Sequence, residues 1–439
     1  MDNLLVTVAI YVAVLLALIF AGIPIAFALG ILAIVSVYIG FDPQLLPALG
    51  LVAWNSLANA VIGAIPLFIF MGFILFESGL STRIYGGISP FLDRLLPGGI
   101  LHSNIVAGAA FAACCGSSIA TCATIGSVAM PEMERRGYER GLAAGSVAAG
   151  GTLGVLIPPS VVFVVYGAIT NTSIGKLLIA GIIPGILLTL MYMTYIAVRL
   201  KVQPHLVKGD IAAQKLPWKT CLLSVLQVWP VLLLILGVIG SIYAGIATPT
   251  EAASIGCALT LVVAASHRLL NWDTLKRAIV GAVRTSSMIL VIFLGATLMN
   301  VYLSNAGITM AIANWVAVLP APPIVIFIAI AIMYLVLGML MDGLAAMVVT
   351  LPITFPIVIK LGFDPIWYGV VSTTFCEAAL LSPPVGMNLF ILQGLRPEYP
   401  FMQIVKGTLP FFLVDVGTIA LVVAFPQLAT FLPRTMIGQ

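Results

Sequence analysis

Two short motifs restrict what this chain can fold into, and the second of them is written twice. One is a run of small residues, Ala113-Cys114-Cys115-Gly116-Ser117-Ser118; the other is the proline pair Pro158-Pro159. Neither suits a continuous helix, because consecutive prolines remove backbone donors and crowd the preceding turn. Both nevertheless lie in sequence as apolar as lipid. Of 439 residues, 62% are hydrophobic and 8% charged, whereas a soluble domain carries about a quarter charged residues. So few charges cannot clothe a soluble surface, and the chain reads as a polytopic membrane protein. Backbone at membrane depth that leaves the helical ladder must be buried in protein or line a wet cavity. Pro131, Gly137 and Pro158-Pro159 recur as Pro356, Gly362 and Pro383-Pro384, all displaced by 225 positions. A broken element repeated in both halves is the pattern that marks a transporter's binding site.

A spanning helix needs about 20 apolar residues. The runs that qualify are 4–20, 23–40, 50–76, 139–169, 177–198, 222–242, 246–266, 284–304, 365–393 and 408–431. The stretches 103–130 and 323–360 carry Gly, Pro and small polar residues near their centres and read as re-entrant hairpins. Five crossings per half is an odd number, which requires the halves to be inverted. The expected fold is therefore an all-α inverted repeat of two five-crossing halves, each with a re-entrant hairpin and a broken helix. With loop 199–219 on the cytoplasmic side, sixteen Lys and Arg fall inside and only Lys176, Lys360 and Arg434 outside. That asymmetry obeys the positive-inside rule and puts both termini outside. Residues 80–96 read as an amphipathic surface helix, with 308–319 as its counterpart. The first apolar run lacks a basic lead and a small-residue cleavage site, so it is expected to remain as a span.

The chemistry is expected where the helices break. At the first tip, Gly116 permits a tight turn, and Ser117, Ser118 and, one turn on, Thr121 supply hydroxyls. Serine oxygens and freed carbonyls suit an alkali cation, and half-helix N-termini suit a carboxylate. The first break, from Thr152 through Ile157-Pro158-Pro159-Ser160, leaves carbonyls that a bound sodium ion would satisfy. The second half repeats this with Met341-Asp342-Gly343 at its tip and Ser382-Pro383-Pro384-Val385-Gly386-Met387-Asn388 at its break. Asp342 aligns with Ser117 and Glu377 with Thr152 at the common displacement. Ionisable groups at mid-membrane are costly and usually functional. Small residues also serve close helix packing, the expected role of run 143–151. Glu251 reads as a helix cap, and Asp415 as facing the bundle interior or a partner subunit.

The chain lacks a phosphate-binding loop and a zinc-protease pattern, and Ser117 has no neighbouring His or Lys to activate it. An enzyme is not expected, nor a transition metal, an organic cofactor or a nucleic-acid partner. The six cysteines show no metal or redox spacing and read as packing residues.

At these motifs the chain resembles the large membrane subunit (M subunit, DctM-like permease) of tripartite ATP-independent periplasmic (TRAP) transporters. The resemblance rests on Gly116-Ser117-Ser118, Pro131-Glu132-Met133, Ile157-Pro158-Pro159-Ser160, Ala180 to Gly185, Thr248 to Ala253, Gly338 to Asp342 and Pro383 to Phe390, and covers essentially the whole chain. The chain departs from the family pattern at Cys115, where serine is common, and at Thr121, where aspartate is common. The resemblance implies an elevator-type fold in the bacterial inner membrane. It implies sodium-coupled uptake of a C4-dicarboxylate, sialic acid or similar organic acid, with one sodium site at each tip and its break. It also implies two partners, a small four-helix membrane subunit and a periplasmic substrate-binding protein. The corresponding division is scaffold and arm over 1–102 and 222–322, and transport segments over 103–176 and 323–394. Residues 177–221 are the closing span and linker, and 395–439 the final span. The alternative is a stand-alone proton- or sodium-coupled transporter of the same fold; an intramembrane hydrolase is the rival from another class.

Overall fold

The computed structural model describes residues 2–40, 46–207, 217–383 and 385–436. In chain order the first half comprises α1 (Asp2–Phe20), α2 (Ile25–Gly40), α3 (Leu46–Leu57), α4 (Ala64–Glu77), α5 (Leu80–Leu95), α6 (Gly99–Cys115), α7 (Ser118–Arg135), α8 (Arg140–Leu156), α9 (Val161–Thr170), α10 (Ile174–Ala180) and α11 (Ile182–Val202). The second half opens with α12 (Trp218–Val225), α13 (Trp229–Ile235) and the short α14 (Ser241–Tyr243), which run on as one span. It continues through α15 (Pro249–Ser266), α16 (Trp272–Asn305), α17 (Ile308–Val318), α18 (Pro323–Leu340), α19 (Gly343–Lys360), α20 (Pro365–Ala379), α21 (Met387–Leu395), α22 (Phe401–Ala424) and α23 (Gln427–Arg434). Among the described residues there is no strand. Eight helical segments are long and apolar enough to cross a bilayer, or nine if the bent pair α4–α5 counts as one span.

The repeat governs this order. Shifted by 225 positions, α7 falls on α19 at both ends, α8 begins where α20 begins, and α9 ends where α21 ends. Glycines with left-handed backbones recur as well: Gly22 with Gly245, Gly79 with Gly307, and Gly137 with Gly362. Gly79 and Gly307 open the amphipathic helices α5 and α17 in matching conformations, φ 72° and 69°.

Both arms of the first hairpin, α6 and α7, pack along α8, and both arms of the second, α18 and α19, along α20. A continuous helix could not lay two such arms on one neighbour, so the chain reverses at 116–117 and at 341–342. The small-residue run expected to allow close packing makes α8 the hub. Gly141 through Leu156 are all buried, and α6, α7, α20 and α22 surround them. A Cβ on Gly407 would lie 1.9 Å from the Gly141 carbonyl oxygen, and one on Gly108 would lie 2.2 Å from that of Gly150. Buried residues fill 83% of the apolar window of Arg140–Thr170 but 28% of that of Trp218–Tyr243, so the broken span is interior and the latter faces lipid. Cys122, Cys221, Cys257 and Cys376 are buried free thiols, as the packing role requires.

Three spans differ from the sequence expectation, and one of them, the run 408–431, is divided between α22, which already begins at Phe401, and α23. The run 50–76 is not one helix but α3 and α4, separated by turns over 58–63. Pro66 lacks the N–H a continuous helix would bond to residue 62, and its ring would crowd that carbonyl. The gap is held by Asn59 Oδ1, which accepts the Val61 N–H at 2.9 Å, and by Thr250 Oγ1, which donates to the Ala60 carbonyl at 3.1 Å. The run 284–304 begins earlier, at Trp272, because Asn271 caps that end by accepting the Thr274 N–H at 2.8 Å. At 34 residues α16 is about 50 Å long, which exceeds a hydrocarbon core.

Candidate functional site

The first tip is built from backbone that cannot be helical. Gly116 has φ 58°, and Ser117 is extended and caps α7, its Oγ accepting the Ala120 N–H at 3.4 Å. Thr121 Oγ1 donates to the Ser117 carbonyl at 2.8 Å. The tip lies on the first break. A Cβ on Gly116 would come within 3.1 Å of the Pro159 carbonyl oxygen, and one on Gly154 within 3.0 Å of both Ser117 O and Thr121 Oγ1. At the break Ile157 is extended, the Pro158-Pro159 bond is cis, and Ser160 caps α9 by accepting the Phe163 N–H at 3.4 Å. Gly116, Ser117, Ser118, Thr121, Ile157, Pro158, Pro159 and Ser160 thus form one locality. Thr152 does not: its hydroxyl bonds to the Ala149 carbonyl at 2.8 Å and meets the Tyr192 hydroxyl at 3.1 Å.

The second tip rests on the end of α20. Met341 is extended, and Asp342 caps α19 by accepting the Leu344 N–H at 3.2 Å. A Cβ on Gly343 would lie 2.9 Å from that of Cys376, beside Glu377. The second break closes as a tight turn, the Gly386 N–H donating to the Ser382 carbonyl at 3.1 Å. Gly386 is required there because its Cβ would lie 2.6 Å from the Leu380 oxygen. Pro383 stands in this turn; Pro384, and the side chains of Cys114 and Cys115, lie outside the described residues.

The halves are joined by Asn388, at the start of α21. Its amide donates to Ser118 Oγ at 3.3 Å and to the Ala148 carbonyl at 3.4 Å. Ser118 is also bonded to Glu377. One hydroxyl of the first tip therefore links both polar residues that flank the second break. Ser118, Glu377 and Asn388 are at most 4% exposed, and Glu377 Oε2 and Asn388 Oδ1 have no partner. Sequence reasoning gave Asp415 little weight and missed Tyr192. Both are buried, and the Tyr192 hydroxyl pairs with Asp415 Oδ1. The available signal was a tyrosine and an acid near the middle of apolar runs. Among the described residues no three His, Cys, Asp or Glu side chains gather as metal ligands.

At the polar end, Arg136 joins Glu132 at 2.7 Å and Asp93 of α5 at 3.1 Å, while Arg396 reaches Glu134 at 3.7 Å. Hydrogen bonding by Arg135 and then Arg136 holds the Glu132 carboxyl below its usual range. These pairs gather residues that the charge asymmetry assigns to one side.

Paired hairpins docked on paired broken helices, with buried polar groups where they meet, define a helical membrane transport protein. The chain belongs to the family of tripartite ATP-independent periplasmic transporter DctM components, whose model matches residues 12–428. It is 35% identical over 413 residues to the isethionate TRAP transporter permease protein DctMQ of Oleidesulfovibrio alaskensis, covering 94% of this chain and 63% of that one. It is 32% identical over 397 residues to the C4-dicarboxylate TRAP transporter large permease protein DctM of Pseudomonas aeruginosa, covering 90% and 91%. The crystal structure of the Alcanivorax borkumensis YdaH transporter superposes with a TM-score of 0.66 at 15% identity, over 88% of this chain and 90% of that one, a likeness of fold. The chain is a multi-pass membrane protein and a TRAP transporter permease.

Proposed function

We propose that this permease carries an organic acid inward across the bacterial inner membrane with sodium as the coupling ion. A periplasmic binding protein delivers the solute, and a small four-helix membrane subunit completes the complex. Both termini face the periplasm. The hairpins, broken helices and the spans packed on them, α6–α11 and α18–α22, slide as one body against α1–α5 and α12–α17. The observation that carries the proposal is the junction at Ser118. The first tip meets the residues that flank the second break there, with polar oxygens from both halves and, among the described residues, no basic side chain bonded to it. Such a site holds a carboxylate through helix ends, hydroxyls and bound cations. Sodium drives transport only if it binds the solute-competent state more tightly than the other. The relatives named for isethionate and C4-dicarboxylates support a small organic anion as cargo.

The test is uptake of a labelled organic acid into proteoliposomes holding both membrane subunits, with the binding protein outside. Accumulation should require an inward sodium gradient and the binding protein. Uptake indifferent to sodium would refute the coupling, and uptake without the binding protein would favour the stand-alone reading.

A further inference from the structure

Two buried acids of the core differ in how many hydrogens surround them. Around Glu377 the number is complete for a carboxylate. The Ser118 hydroxyl supplies one hydrogen to Glu377. The two amide hydrogens of Asn388 go to Ser118 Oγ and the Ala148 carbonyl. Every contact has its hydrogen, and Glu377 needs none of its own.

Around Asp415 the number is one short. Three contacts run in series: Thr152 Oγ1 to the Ala149 carbonyl at 2.8 Å, Thr152 Oγ1 to the Tyr192 hydroxyl at 3.1 Å, and Tyr192 to Asp415 Oδ1. The series ends on a carbonyl, which only accepts, and Thr and Tyr bring one hydrogen each. An ionised Asp415 would leave two hydrogens for three contacts and force two oxygens together without one between them. If Thr152 donates to Ala149 and Tyr192 donates to Thr152, then Asp415 must donate to Tyr192. Asp415 is 1% exposed, its Oδ2 has no partner, and among the described residues no basic group pairs with it. Asp415 and Glu377 lie close enough to interact through charge, as do Glu377 and Tyr192, and one negative charge in a low-dielectric core opposes a second.

We propose that Asp415 is a proton-binding residue of the core: it is the un-ionised acid, donates its proton to Tyr192, and thereby ties α22 through α11 to α8. Glu377, whose Oε2 also lacks a partner, is the second acid of the core and is not the one that holds this proton. This goes beyond the coupling-ion proposal and does not require it.

The test is infrared spectroscopy of the purified full chain in lipid nanodiscs at neutral pH, reading the C=O stretch of un-ionised carboxyl groups. A band should be present, shift on deuteration, disappear in Asp415→Asn and persist in Glu377→Gln and Asp342→Asn. Tyr192→Phe removes the acceptor, so the band should move to the position of a free carboxyl; this variant decides the matter if Asp415→Asn fails to fold. No band in the unmodified protein, a band unchanged by both Asp415→Asn and Tyr192→Phe, or a band lost only in Glu377→Gln would overturn the proposal. None of these readings depends on transport, the solute or the partners.

Discussion

The side chain on which most converges is Ser118. It accepts from Asn388 and is bonded to Glu377, and all three side chains are buried. Ser118→Ala deletes one hydroxyl and leaves two buried groups short of a partner, which costs about 1–3 kcal/mol. A lower unfolding midpoint in detergent would register this, and sodium-driven uptake should fall more than the loss of folded protein explains. Wild-type stability together with wild-type uptake would mean that the junction is incidental. Ser118 was legible in the sequence as part of a polar tip. Its partnership with Asn388 was not, because the two are 270 residues apart and no periodicity joins them. Thr152 shows the opposite failure. The repeat register aligned it with Glu377, yet its hydroxyl turns toward Tyr192, because the repeat preserves backbone position and not side-chain partners.

At the scale of elements, the broken helices and hairpins were legible because their causes are local. Proline pairs, tip glycines and a fixed displacement define where ladders end, and the structure places α7 and α19 within the residues that displacement demands. The break between α3 and α4 was equally local but lacked a copy in the other half, so Pro66 and Asn59 passed as ordinary residues of an apolar run. An ion pair adds to the apolar docking of α5 on the hairpin. Arg136 bridges Glu132 and Asp93, and Glu132 titrates below its usual range because Arg135 and Arg136 favour its charged form. A depressed carboxylate stabilises the fold fully above its unfolded pKa of about 4.5 and loses that contribution as pH falls through the lower folded value. Thermal stability should therefore decline on acidification below about pH 4.5, and Glu132→Gln should flatten that decline while lowering stability at neutral pH. An unaltered pH profile in Glu132→Gln would show that the charge of Glu132 contributes nothing to stability.

For the whole molecule, the sliding proposal predicts which surfaces separate. A cavity of about 220 Å³ is lined by Asn59 from the gap between α3 and α4, by Thr297 and Asn300 of α16, and by Ala168 and Asn171 at the end of α9. It lies where the proposed moving body meets the proposed scaffold, and its walls come from both. Inside the moving body, by contrast, glycines hold backbones in direct contact, as at Gly407 and Gly141, and packed interfaces of that kind move as units. A disulfide across the cavity, between Asn171→Cys and Asn300→Cys in a background without the native thiols, should arrest uptake by more than tenfold. Reductant should restore it. The same pair left reduced should transport normally, which separates the effect of the bond from that of the substitutions. A complete disulfide that leaves sodium-driven uptake intact would show that these walls never part. The solute would then have to cross by local opening of the tips rather than by translation of the domain that carries them.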